Sequence, residues 1–141
     1  MYTFKEIDHT ADLAYQLIAT TQEALFSAAL GAYKNSVLPQ HKYNAAKDIT
    51  LSLQGNSIEE LIVDFLREIN YLLTEKGWVP EKIINARLIF ENGFKAKINV
   101  AGHESGKNKL ELKEEIKAIT YHQLAVVKTN EGYKTNLIFD I

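Results

Sequence analysis

The chain has 141 residues, of which 46% are hydrophobic and 24% charged, with a formal net charge of −2 and no cysteine. These values fit one globular domain that buries roughly 68% of its unfolded surface. They exclude disorder as the main state, and with it disulfide staples, thiolate catalysis and cysteine-ligated zinc.

Tyr2 to Ile7 reads as a short strand with Tyr2, Phe4 and Glu6 on one side. A polar break, Asp8-His9-Thr10-Ala11-Asp12, separates it from a second apolar strand, Leu13 to Ala19. Thr20 with Glu23 three residues on predicts a capping box. A helix follows to near Val37, where Pro39 supports the stop. Lys47 to Gln54 alternates, with Ile49, Leu51 and Leu53 on one side, as a half-buried strand does. Ser57 with Glu60 predicts a second capping box. Ile58, Leu61, Ile62, Phe65, Ile69, Leu72 and Leu73 then recur at helical spacing. Gly77 is the expected stop, and Pro80 lies beyond it.

The remainder predicts strands. Ala86 to Phe90 and Phe94 to Val100 flank Asn92-Gly93, a strong hairpin signal. Glu114 to Tyr121 and Gln123 to Lys128 follow, and Asn130-Glu131-Gly132 turns the chain into Tyr133 to Ile141. The order is ββαβα followed by four to five strands. This is an α+β class, a single domain over residues 1–141 with two helices packed on a mainly antiparallel sheet.

The N-terminal residues are neither basic nor followed by an apolar run, so an ordinary signal peptide is not expected. No stretch reaches the roughly 20 apolar residues that span a bilayer. A cytoplasmic protein without membrane contact is the expectation. The acidic balance argues against strong direct nucleic-acid binding, which needs a clustered basic surface. Lys107, Lys109, Lys113 and Lys117 come close together, but Glu111, Glu114 and Glu115 are interleaved with them.

Three segments carry candidate chemistry. Asp8, His9 and Asp12 in the first polar break offer ligands to a hard cation, and they equally suit a turn in which Asp and Thr side chains bond the backbone. At the end of the chain, Leu137, Phe139 and Ile141 suit a core face while Asp140 points the other way. A carboxylate at Ile141 beside the Asp140 side chain would set two anions together, which repel unless a cation or donors sit between them. A frayed strand end is the plain alternative. In the third segment, Glu114 to His122, Lys117 and Tyr121 share one strand face and Thr120 and His122 the other. His9, His41, His103 and His122 lack a paired zinc spacing. There is no Gly-rich phosphate loop and no Gly-x-Ser-x-Gly elbow.

Taken in order, Asp8-His9-Thr10-Ala11-Asp12, Glu115-Ile116-Lys117-Ala118-Ile119-Thr120-Tyr121-His122 and the closing Phe139-Asp140-Ile141 resemble the archease family. The resemblance implies a one-domain α+β accessory protein, not an enzyme. Its partner would be the GTP-dependent tRNA-splicing RNA ligase, whose guanylylation and multiple turnover it promotes. It also implies a divalent-metal pocket formed by Asp12, Asp140 and the carboxylate of Ile141, with Asp8, His9 and Lys117 near the site or facing the partner. Oxygen donors of this kind suit Ca²⁺, Mn²⁺ or Mg²⁺. The sequence departs from the family pattern at Ala14, where a glycine is usual, and at Gly102-His103 and Leu110 in the later loop. A general chaperone or binding module with a structural metal is the alternative. A metal-dependent hydrolase using Asp12 or Asp140 as a base is a third.

Overall fold

The computed structural model describes residues 1–7, 12–39, 47–105, 111–121 and 123–141. Asp8, His9, Leu110 and His122 lie outside these residues, as do His41 and Lys107.

Strands β1 (Tyr2–Ile7) and β2 (Leu13–Ala19) form an antiparallel pair in which Tyr2 faces Ala19 and Ile7 faces Ala14. Helix α1 (Gln22–Val37) follows. Its cap is Thr21, whose side chain accepts from the Ala24 N–H at 3.1 Å, rather than Thr20. The Thr20 hydroxyl instead accepts from the Met1 amine at 3.2 Å and ties β1 to the end of β2.

Strand β3 (Lys47–Gly55) leads into helix α2 (Ile58–Lys76). Ser57 caps α2 as expected, accepting from the Glu60 N–H at 3.1 Å. The Glu60 carboxylate reaches back to the N–H of Asn56, one residue before the cap, at 3.0 Å. Two otherwise orphaned donors are thereby satisfied. Gly77 ends the helix at φ +66, the left-handed conformation that costs a side chain but not glycine. Leu61, Ile62, Phe65, Leu66 and Ile69 are fully buried, each contributing roughly 1.5–3 kcal/mol by removal from water.

Strands β4 (Trp78–Ile89) and β5 (Phe94–Glu104) form the expected hairpin, which extends further from its turn than the sequence pattern predicts. Both Asn92 and Gly93 take positive φ, +53 and +101, as a tight hairpin turn requires.

The late strands are shorter than expected. Of the segment Glu114 to Tyr121, only β6 (Ala118–Thr120) is strand. The preceding residues spend their hydrogen bonds on the helices, because Lys113 N–H donates to the Val37 carbonyl at 2.8 Å and Asn70 Nδ2 donates to the Ile116 carbonyl at 3.5 Å. Of Gln123 to Lys128, only the last two residues join β7 (Val127–Thr129). Gln123 sits at φ +61, and the Val126 N–H donates to the Glu59 carboxylate at 3.0 Å instead of to a strand. Strand β8 (Gly132–Asp140) closes the chain.

The fold class and element order are those expected, and the strands divide into two antiparallel sheets. One runs β1-β2-β8-β6 with β7 also on β8, and the other runs β3-β5-β4. Helix α1 touches β1, β2, β4 and β8, and α2 touches β3, β4, β5 and β6, so the helices join the sheets. The shared core includes Tyr15, Leu17, Phe26, Tyr33, Phe65, Ile98, Leu137 and Phe139. Among the described residues no helix is long and apolar enough to cross a membrane.

Candidate functional site

The first sequence motif lies about a hundred residues of chain before the other two, but all three end on neighbouring strands. In the pairing of β2 with β8, Leu13 faces Phe139 and Ala14 faces Ile138. Continuing this register by one residue sets Asp12 across from Asp140. On the other side of β8, Ala118 faces Asp140 and Ile119 faces Phe139. The Lys117 N–H donates to the Asp140 carbonyl at 2.8 Å, so Lys117 flanks the last turn of the same strand end. Adjacent strands stand about 4.8 Å apart. The ends of β2, β8 and β6 thus bring Asp12, Asp140 and Ala118 side by side at one corner of the sheet, with Lys117 one residue before Ala118.

Alternation decides which side chains reach that corner. Tyr15, Leu137 and Phe139 point to the helices and are buried, and Ile119 is buried with them. Asp140 follows the buried Phe139 at the end of β8 and is itself exposed. Ile141 is half-buried and packs against the core, so its side chain anchors the strand end. One expectation needs refining, because Ile138 is also buried, at 1% exposure, together with Ala14 beside it. The outer face of this sheet is therefore apolar just inward of Asp140.

Lys117 arrives by a path built from side chains of both helices. The Lys113 ammonium donates to the Asn35 carbonyl at 2.8 Å, at the end of α1. Asn70 on α2 holds the Ile116 carbonyl and also accepts from the Tyr33 hydroxyl at 2.7 Å. Ile116 is buried. These contacts fix the direction from which residues 111–117 approach β8. Sequence reasoning missed Asn70 and Glu59, which are polar residues on an otherwise ordinary amphipathic helix.

Chemically, the corner gathers hard oxygen donors. Asp12 and Asp140 supply two carboxylates and the chain contains no soft thiolate, a set that fits a divalent cation of the Ca²⁺, Mg²⁺ or Mn²⁺ type. Among the described residues no group of three or more His, Cys, Asp or Glu side chains comes together to hold a metal. Asp8 and His9 lie outside the described residues, as does Leu110. Ala14 lies within β2 in ordinary register with Ile7 and Ile138, so the position where a glycine is usual needs no left-handed backbone here. His103 lies on β5, in the other sheet.

Residues 4–141 match the model of the Archease protein family (MTH1598/TM1083). Protein archease of Methanosarcina barkeri is 30% identical over 139 residues, covering 98% of this chain and 95% of that protein. Protein archease of Pyrococcus abyssi is 28% identical over 142 residues and covers both chains fully, at 100% each. The solution structure of Methanobacterium thermoautotrophicum protein 1598 superposes with a TM-score of 0.77 at 22% identity, over 99% of this chain and 98% of that one, a likeness of fold. A Thermotoga maritima crystal structure, described as an archease and possible chaperone, gives a TM-score of 0.64 at 25% identity over 97% and 96% of the two chains.

Proposed function

The chain belongs to the archease family, and from that membership we propose that it is a non-catalytic, cytoplasmic activator of a GTP-dependent tRNA-splicing RNA ligase. In this reading it promotes guanylylation of the ligase and supports its repeated turnover. Asp12, Asp140 and the Ile141 carboxylate hold a divalent cation, Mn²⁺ or Ca²⁺ before Mg²⁺. Asp8, His9 and Lys117 face the partner or line the approach to the metal. The cation offsets the repulsion between the gathered carboxylates and supplies positive charge beside the nucleotide.

The observation that carries the reading is the convergence of three distant motifs on the adjacent ends of β2, β8 and β6. A core alone does not require two acids at the adjoining ends of neighbouring strands.

The test uses purified ligase, GTP and Mn²⁺. Wild-type protein should accelerate guanylylation of the ligase. Asp12→Ala and Asp140→Ala should each lose most of that stimulation, by roughly tenfold or more, the loss usual for groups that bind or orient a metal. Full stimulation by both variants would sink the reading.

The description of the Thermotoga maritima relative as a possible chaperone favours a second reading, a general binding module whose metal is structural. Protection of an unrelated heat-labile client that persists in Asp12→Ala would support it. Turnover of RNA ends or nucleotides by the protein alone would instead indicate a hydrolase.

A further inference from the structure

The second sheet carries a surface that the metal corner does not use. Its registers set Lys97 between Ser52 and Arg87, and Lys95 between Gln54 and Ile89. One rung further, Asn99 lies between Thr50 and Asn85, and beyond that Ala101 lies between Asp48 and Lys82. The alternate residues Ala96, Ile98 and Val100 are buried, so these rungs face away from the helices. Lys82, Arg87, Lys95 and Lys97 are all exposed. The ion pairs among the described residues are Lys34–Glu81, Lys47–Glu104 and Arg67–Asp64. None of the four outer-face cations takes part in one.

A chain with net charge −2 thus concentrates four cations on one sheet face, with Asp48 the single acid in these rungs. Arg87 and Lys97 stand directly opposite each other, an arrangement that costs stability in the isolated protein. A bound polyanion would remove that cost. The spacing also suits one, since neighbouring strands lie about 4.8 Å apart and Lys95 and Lys97 about 7 Å apart along the strand. Hydroxyls and amides of Thr50, Ser52, Asn85 and Asn99 fill the rungs between the cations and suit phosphate oxygens and ribose hydroxyls. The face lacks the continuous apolar row that a membrane-surface element buries.

We propose that the outer face of the β3-β5-β4 sheet binds the backbone of single-stranded RNA, with Lys82, Arg87, Lys95 and Lys97 contacting phosphates. The site does not depend on the metal corner, which is on the other sheet. The low overall charge limits non-specific attraction and leaves the local face to act.

Fluorescence anisotropy of a labelled oligouridine tests it. Wild-type protein should bind at low salt, with log K falling against log salt at a slope near −3, as about four phosphate contacts on a single strand dictate. Arg87→Gln with Lys97→Gln should bind at least roughly tenfold more weakly and with about half that slope. Lys128→Gln with Lys134→Gln removes the same charge from exposed positions of the other sheet and should bind like wild type. Arg87→Gln alone replaces the double variant if that fails to fold. Absence of wild-type binding at low salt, or equal losses in both double variants, overturns the proposal. Tighter binding to phosphatidylserine vesicles than to the RNA also overturns it, by assigning the face to a membrane.

Discussion

Tyr33 is fully buried on α1 and donates its hydroxyl proton to Asn70 Oδ1 at 2.7 Å. Burial pushes this hydroxyl well above the ordinary tyrosine range, because a phenolate would lose its hydration. Below the unfolded-chain value of about 10 both states keep the proton, and the contribution of Tyr33 is fully present. As pH rises from there towards the folded-state value, only the unfolded chain releases it, so stability falls by about 1.4 kcal/mol per pH unit. Melting temperatures measured from pH 8 to 11 should therefore drop at the alkaline end, and Tyr33→Phe should drop less steeply. A slope unchanged in Tyr33→Phe would assign the loss to other groups. The consequence reaches the candidate site, since Asn70 also holds the segment that delivers Lys117. Asp12 and Asp140 illustrate the limit of single residues. Each is legible in the sequence as an acid at a break or an end, and neither carries a local sign that they meet.

Elements defined by local signals form where the sequence predicts them. The stripe from Ile58 to Leu73, the Ser57 cap and the Gly77 stop specify α2 without help from distant residues. Ser57→Ala should therefore cost about 1 kcal/mol through loss of its bond to the Glu60 N–H. That corresponds to a melting temperature lower by roughly 3–4 °C. A change below about 1 °C would mean the helix start is held by packing alone. The failures occur where two readings share one composition. Thr20 and Thr21 both suit a cap, and the choice falls to Thr21 because Thr20 is occupied by the chain start. Glu114 to Lys117 has strand-like residues, but the Val37 carbonyl takes the Lys113 N–H just before it and Asn70 holds the Ile116 carbonyl, so pairing with β8 begins only at the Lys117 N–H. The basic face of β4 and β5 had a sequence signal, the alternation Lys95-Ala96-Lys97-Ile98, but its partner Arg87 is identified only through strand register.

For the whole molecule, the candidate metal corner joins the start of β2 to the end of β8, so occupancy and folding are linked. A cation bound only by the folded protein stabilises it by about 2.7 kcal/mol at a hundredfold excess over its dissociation constant. Mn²⁺ or Ca²⁺ should raise the melting temperature of the wild type and leave Asp12→Ala unmoved. A tag joined to Ile141 converts its carboxylate to an amide and should weaken metal binding and ligase stimulation. The same tag at Met1 should not. Equal behaviour of the two tagged proteins would remove Ile141 from the ligand set.

Local periodicity and turn chemistry sufficed for the α+β class, both helices and the hairpin, because capping, amphipathic spacing and left-handed turn residues act within a few positions of chain. The three motifs supported a family membership that residues 4–141 then matched. Only the tertiary structure decided that the strands divide into two sheets, that Asp12 and Asp140 lie at adjoining ends of β2 and β8, and that four cations share a face. Those facts depend on strand register between residues far apart in sequence, and register is set by which buried side chains pack together. The corner that joins Asp12 to Asp140 is thus a product of packing by Tyr15, Leu137 and Phe139 beneath it.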